Sequence, residues 1–217
     1  MNLPDCFVKD LWTPEHIATV WEELKQLTPG EQWVDQHGVF KGKLVAEQRY
    51  LTDDDAVPLT RQVIEDVKSQ FSEPTKAIEI DYVTLHLPWD IHTDMNLASD
   101  DRDYHDSENP FYNILVPLHD VDSRTVIFDQ YSTEYNYFYR YKEDNPKVEN
   151  PVSVEFWNDN LSMCWAEDRE WLTLKDTLPQ RAGTMLAFKR EFFHSSDSFH
   201  TRNVGPKHFI QIILDRV

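Results

Sequence analysis

The chain predicts an α+β fold, mainly β, in which a few helices brace one face of a sandwich or barrel. Three observations carry that prediction. Helical periodicity is confined to the first third. Strand-like runs dominate from residue 76 onward. The 217 residues, 13% aromatic and 40% apolar, are enough to bury one core without disulfide or metal staples.

Thr13-Pro14-Glu15 is a helix start: a hydroxyl N-cap, a proline in the first turn and an acid at the positive end of the dipole. Ile17, Val20, Trp21 and Leu24 follow at helical spacing, and Thr28-Pro29-Gly30 is the stop. A second helix begins near Pro58, with Val63, Ile64, Val67 and Phe71 as its buried stripe. Residues 1–75 therefore read as mostly helical support.

The strand-like runs lie at 77–85, 111–118, 124–128, 183–188 and 208–214, rich in β-branched residues and partly alternating. Residues 76–217 form the core of a single domain spanning 1–217. It is interrupted at 131–174 by a segment crowded with Tyr131, Tyr135, Tyr137, Phe138, Tyr139, Tyr141, Phe156, Trp157, Trp165 and Trp171. That segment is either an insertion packing its rings on the domain or a wall over a ligand.

Charge narrows the partners. A formal net charge of −18 repels nucleic acid, whose recognition needs a basic face, and suits solubility or a cationic substrate. Cys6 and Cys164 stand far apart in no CxxC pattern, so neither a disulfide framework nor a thiolate zinc site is expected. Met1-Asn2-Leu3-Pro4-Asp5 lacks a signal-peptide pattern and no apolar run is long enough to span a membrane, so a cytoplasmic location is expected. The acidic stretch Asp100-Asp101-Arg102-Asp103 reads as a solvated loop tip.

Chemistry first shows at His92-Thr93-Asp94, which follows the apolar run 82–87 and the turn-prone Pro88-Trp89-Asp90. With nine histidines in so acidic a chain, about one His-x-Asp string arises by chance, so the motif needs company. His194 supplies it, after the strand opened by Gly183. Two imidazoles and a carboxylate are the ligands of a facial triad, which holds non-haem Fe(II) and leaves one side of the metal open. His200 is the competing third ligand; His86, His105, His119 and His208 read as surface or hydrogen-bonded core residues. Gly205-Pro206-Lys207 puts a cation at the entrance of the last strand, and Gln211 shares the face of Lys207.

The order His-x-Asp, then "GTMLAFKREFFHSS", then a base opening a terminal strand resembles the Fe(II)/2-oxoglutarate-dependent dioxygenases. The likeness runs from about Tyr82 to the C-terminus, and Gly183 to His194 reproduces the family's interval. Within the family, "FFHSSDSF" is most similar to the prolyl-hydroxylase-like and phytanoyl-hydroxylase-like branches. The resemblance implies a double-stranded β-helix, or jelly roll, with His92, Asp94 and His194 as iron ligands. It implies 2-oxoglutarate and O2 as cosubstrates, the distal carboxylate held by Lys207 or by its rival Arg202, with Gln211 nearby. It further implies hydroxylation of a C–H bond in a small-molecule, amino-acid or peptidyl substrate, with succinate and CO2 as co-products. The alternatives are a cupin-like metal enzyme or a binding module that does not use 2-oxoglutarate. No sequence feature fixes the oligomeric state.

Overall fold

The computed structural model describes residues 4–27, 30–36, 39–51, 58–95, 110–133 and 138–217. The helix stop at 28–30 falls partly outside these residues; the acidic tip at 100–103, His105, Tyr135 and Tyr137 fall wholly outside them.

Two antiparallel sheets form the core. The larger runs in space as β1 (Cys6–Asp10), β8 (Thr184–Lys189), β5 (Pro110–Pro117), β10 (Lys207–Arg216), β4 (Thr75–Leu85), β3 (Leu44–Tyr50) and β2 (Glu31–Val34). The smaller is β7 (Leu174–Pro179), β6 (Arg124–Tyr131) and β9 (Phe192–Ser196). This is the α+β, mainly β architecture expected, of jelly-roll type.

The alternation of β10 explains the layering. Ile210, Ile212 and Leu214 point outward into a core shared with Ile114, Val116, Met185 and Ala187. Two helices cover that face, α1 (Pro14–Leu24) and α2 (Pro58–Lys68), burying Ile17, Val20 and Leu24 from one and Val63, Ile64 and Val67 from the other. Thr13 caps α1 as expected, its hydroxyl accepting from the His16 amide at 3.2 Å. Phe209 points the other way, with Val83, Leu85, Leu115, Leu186 and Phe188, into a core closed by Val126, Phe128 and Phe193 of the smaller sheet.

Two findings differ from the sequence reading. The first third is not chiefly helical, because β1, β2 and β3 all lie within it. β1 is short, β2 is an exposed edge strand, and the β3 positions on the inner face of the sheet are Ala46, Gln48 and the exposed Tyr50, so none shows an apolar alternation. The segment at 131–174 contains helices α3 (Phe138–Asp144) and α4 (Val154–Asn160) and a 3-10 turn at Ala166–Trp171. Phe138 and Tyr141 lie 5.2 and 5.0 Å from the ring of Phe193, so the insertion packs directly on β9.

Gly183 takes φ +80, and a Cβ there would sit 2.2 Å from the Trp12 carbonyl oxygen. Only glycine fits this turn into β8 without strain. Cys6 and Cys164 are free thiols, and no helix among the described residues is long and apolar enough to cross a membrane.

Candidate metal centre

His194 sits inside β9, opposite Ile127 of β6. His92 lies on the segment after β4 and pairs with His194 through its backbone. The His92 amide donates to the His194 carbonyl at 3.1 Å, and the His194 amide donates back at 2.9 Å. Two segments a hundred residues apart are thereby locked side by side, and one ligand atom each from His92, Asp94 and His194 lies within 4.8 Å of the others.

Both rings are oriented for coordination. His92 Nδ1 lies 2.6 Å from the Asp90 carbonyl and His194 Nδ1 3.1 Å from the Phe192 carbonyl. A carbonyl only accepts, so the ring proton sits on Nδ1 and the Nε2 lone pair faces the carboxylate. Nε2 of His194 is 3.2 Å and Nε2 of His92 3.8 Å from the Asp94 carboxylate. Burial pushes His194 down to about 4, against the opposing pull of Asp94, which keeps the imidazole neutral at pH 7.

Asp94 is held by two residues that sequence reading missed. Asn113, on the inner face of β5, donates its side-chain amide to Asp94 Oδ2. Arg190, fully buried, donates Nε and one terminal nitrogen to the Asp94 carbonyl at 3.2 and 3.0 Å, and its other terminal nitrogen to Asp215 at 2.6 Å. The Arg190 carbonyl also accepts from the Asp94 amide at 3.1 Å. In sequence, Asn113 is a polar interruption in an apolar run and Lys189-Arg190-Glu191 resembles a solvated hairpin turn; burial is what distinguishes them.

His92, Asp94, Asn113, His194, Lys207 and Gln211 line one cavity, with Trp89, Thr125 and Phe209 among its walls. As the side chains stand its volume is about 30 Å³, room for about one water, so a larger ligand enters only as they move. Lys207 is 2% exposed, with its ammonium 4.9 Å from the ring centre of Phe199 and no hydrogen-bond partner among the described residues. Burial brings it down to about 8, although Asp197 opposes the shift.

Arg202 is placed differently. It donates to Asp197 at 2.6 Å and to the Asp122 carbonyl at 2.8 Å, away from the cavity. The thirteen-residue interval from His194 to Lys207 is taken up by a 3-10 turn at Phe199–Arg202 and by Asn203 at φ 55. His200 is not brought to the triad; its ring meets Phe40 edge-on at 5.0 Å. His86 pairs with Glu47 at 3.0 Å, while His119 stacks on Trp21 at 4.8 Å. His208 faces outward toward Tyr82 and Thr84.

No family model matches the chain, and no curated protein matches it by sequence. Solved structures do match it by fold. The non-heme alpha-ketoglutarate-dependent epimerase SnoN from nogalamycin biosynthesis superposes with a TM-score of 0.63 at 11% identity, covering 98% of this chain and 78% of that one. The chain shares the fold of the Fe(II)/2-oxoglutarate-dependent oxygenases. HygX from Streptomyces hygroscopicus, solved with nickel and 2-oxoglutarate bound, matches at a TM-score of 0.57 and 15% identity, covering 98% and 83%. The carbocyclase SnoK, also from nogalamycin biosynthesis, matches at 0.55 and 15%, covering 96% and 79%. At these identities the likeness shows the fold alone.

Proposed function

We propose that the protein is a non-haem Fe(II)- and 2-oxoglutarate-dependent oxygenase that hydroxylates a C–H bond of a small molecule. One observation carries the reading. Two imidazoles with their Nδ1 protons fixed on carbonyls converge with a carboxylate, in the same cavity as a buried ammonium that lacks a hydrogen-bond partner among the described residues.

The donor set fits the metal: two neutral nitrogens and one carboxylate suit Fe(II) and leave positions free for exchangeable ligands. The unpartnered ammonium fits the cosubstrate, because a buried cation is stable only against an anion or several acceptors. His92, Asp94 and His194 would hold the iron, and Lys207 the distal carboxylate of 2-oxoglutarate, with Gln211 hydrogen-bonding beside it. When bound, iron, 2-oxoglutarate and O2 supply the oxidising chemistry, releasing succinate and CO2.

The chain's own work is positioning. Asn113 and Arg190 hold Asp94 from its carboxylate and its backbone, so the ligand geometry is set before substrate arrives. Trp89, Phe188 and Phe209 exclude water from the cavity, which strengthens the contact between Lys207 and a carboxylate. Arg202, already paired with Asp197, instead braces the turn leading into β10.

The names of the neighbours favour a second outcome, since SnoN is an epimerase and SnoK a carbocyclase. Product mass separates the outcomes: hydroxylation adds one oxygen, epimerisation changes nothing, and ring closure removes two hydrogens. The first experiment is anaerobic titration of Fe(II) with 2-oxoglutarate. A visible charge-transfer band is expected in the wild type and in His200→Ala, and none in His92→Ala or His194→Ala. Folded wild-type protein without the band would return the chain to the cupin-like or binding-module readings.

A further inference from the structure

A buried ammonium without a hydrogen-bond partner among the described residues is costly, and Lys207 is one. The contact that stands against it is aromatic. Its Nζ lies over the ring of Phe199, 4.9 Å from the ring centre. Phe199 is fully buried, at a position where packing alone would accept Leu or Met. An aromatic face adds a partial negative charge, which attracts a desolvated cation within about 6 Å. That face takes up none of the ammonium's hydrogen bonds. All three N–H donors stay available to an anion, whereas a carboxylate in the same place would occupy them.

Asp197 holds the ring in place. Phe199 opens the 3-10 turn Phe199–Arg202, and its amide donates to the Asp197 carbonyl at 2.8 Å. The fully buried Asp197 carboxylate accepts from Ser123 Oγ at 2.5 Å and from Arg202 at 2.6 Å, with Arg124 at 3.9 Å. The Asp197 amide donates to the Arg124 carbonyl at 3.1 Å, which fastens the turn to the start of β6. With both its oxygens engaged, Asp197 acts on Lys207 as a fixed negative charge. It opposes the effect of burial while Arg202 adds to that effect, and Lys207, near 8, stays mostly protonated at pH 7. The other titratable groups near Lys207 are His92, Asp94 and His194, which line the same cavity; β4 offers the apolar Leu85. His119 and His208 lie on the outer face of the sheet, against Trp21 of α1.

We propose that Phe199 is a positioning residue for the cosubstrate: its ring, clamped by Asp197, seats the Lys207 ammonium with its donors free until the distal carboxylate of 2-oxoglutarate takes them. The inference rests on the oxygenase reading, since that reading assigns the anion to Lys207. Without the ring, nothing holds the charge of lysine's flexible stem in the cavity, and the neutral amine becomes the favoured form at a lower pH. A neutral amine must take up a proton before it can pair with a carboxylate. The loss of affinity therefore grows as pH rises.

The test is calorimetric titration of Ni(II)-loaded protein with 2-oxoglutarate and with oxalate between about pH 6.5 and 8.5. Oxalate has no carboxylate left for Lys207 once it chelates the metal, so the ratio of the two affinities cancels the titration of the metal ligands. In wild type the ratio is expected to hold to near pH 8, where Lys207 titrates, and then to decline. In Phe199→Leu the decline should begin about one pH unit lower, a roughly threefold loss at about pH 7.5, with Ni(II) and oxalate affinities unchanged. Phe199→Tyr, which keeps the ring, should follow wild type. Should the leucine variant fail to fold, Phe199→Met, an adaptable core filler, must show the same displacement. A wild-type profile in the leucine or methionine variant, or an equal displacement in Phe199→Tyr, would overturn this proposal alone. Wild-type protein that binds no 2-oxoglutarate would overturn the oxygenase reading together with it, so the two failures are distinguishable.

Discussion

The two ends of β10 make opposite use of the same buried face. At its start, Lys207 is a buried cation that feels Asp197 but has no hydrogen-bond partner among the described residues; four and six residues on, the neighbours on β4 are the acids Asp81 and Glu79. Neither end is what an apolar core would place there: one buries an ammonium, and the other an acid pair that shares a proton, with Glu79 raised to about 8 by burial. The difference is that the cation shares the cavity of the candidate metal ligands, whereas the acid pair is not among that cavity's lining.

The comparison can be broken from the Lys207 end first. Lys207→Ala should raise the 2-oxoglutarate concentration needed for half-saturation by about two orders of magnitude, the scale of truncating one partner of a buried charged contact. Succinate release against 2-oxoglutarate concentration measures it, and Arg202→Ala should leave the curve nearly in place. Next comes the boundary between the ends. Asn113→Leu removes the donor to Asp94 and should weaken metal affinity about ten- to hundredfold, read from competition with a chelator of known affinity.

Acidity separates the ends more gently. Glu79 titrates near 8 in the folded protein and near 4.5 when unfolded. The folded state therefore holds the extra proton between those values, and stability falls as pH rises from 4.5 to 8. Lys207 titrates near 8 folded and near 10.5 unfolded. There the unfolded state holds the extra proton, and stability increases as pH rises from 8 to 10.5. Denaturant unfolding across both windows should show Glu79→Gln flattening the first slope and Lys207→Met the second. The smallest effect belongs to neither end: Thr13→Ala should lower stability by about 1 kcal/mol and leave ligand affinities unchanged, measured by the same unfolding curves.

How much of this could be read from residues alone depends on what each residue's role requires. Gly183 is legible because its φ and its approach to Trp12 demand glycine, and His194 because it keeps a fixed interval from that glycine. The shared face of Lys207 and Gln211 follows from strand alternation, and both line the cavity. β3 is not legible, because its residues on the inner face, Ala46, Gln48 and the exposed Tyr50, show no apolar alternation. Arg190 and Asp81 are not legible either, since a charged residue in a short turn or an alternating strand is ordinarily solvated, and only the folded neighbours show otherwise.

The reciprocal amide pair between His92 and His194 has a kinetic meaning. Because the peptide backbone already joins the two segments, the ion is not needed as a clasp. Its binding energy need not offset the entropy of bringing distant stretches of chain together, as it must in proteins that are unfolded without metal. Loading and loss of the ion should then be quick local events at the cavity mouth, and stripping with a chelator should leave the sheets standing, ready to be refilled.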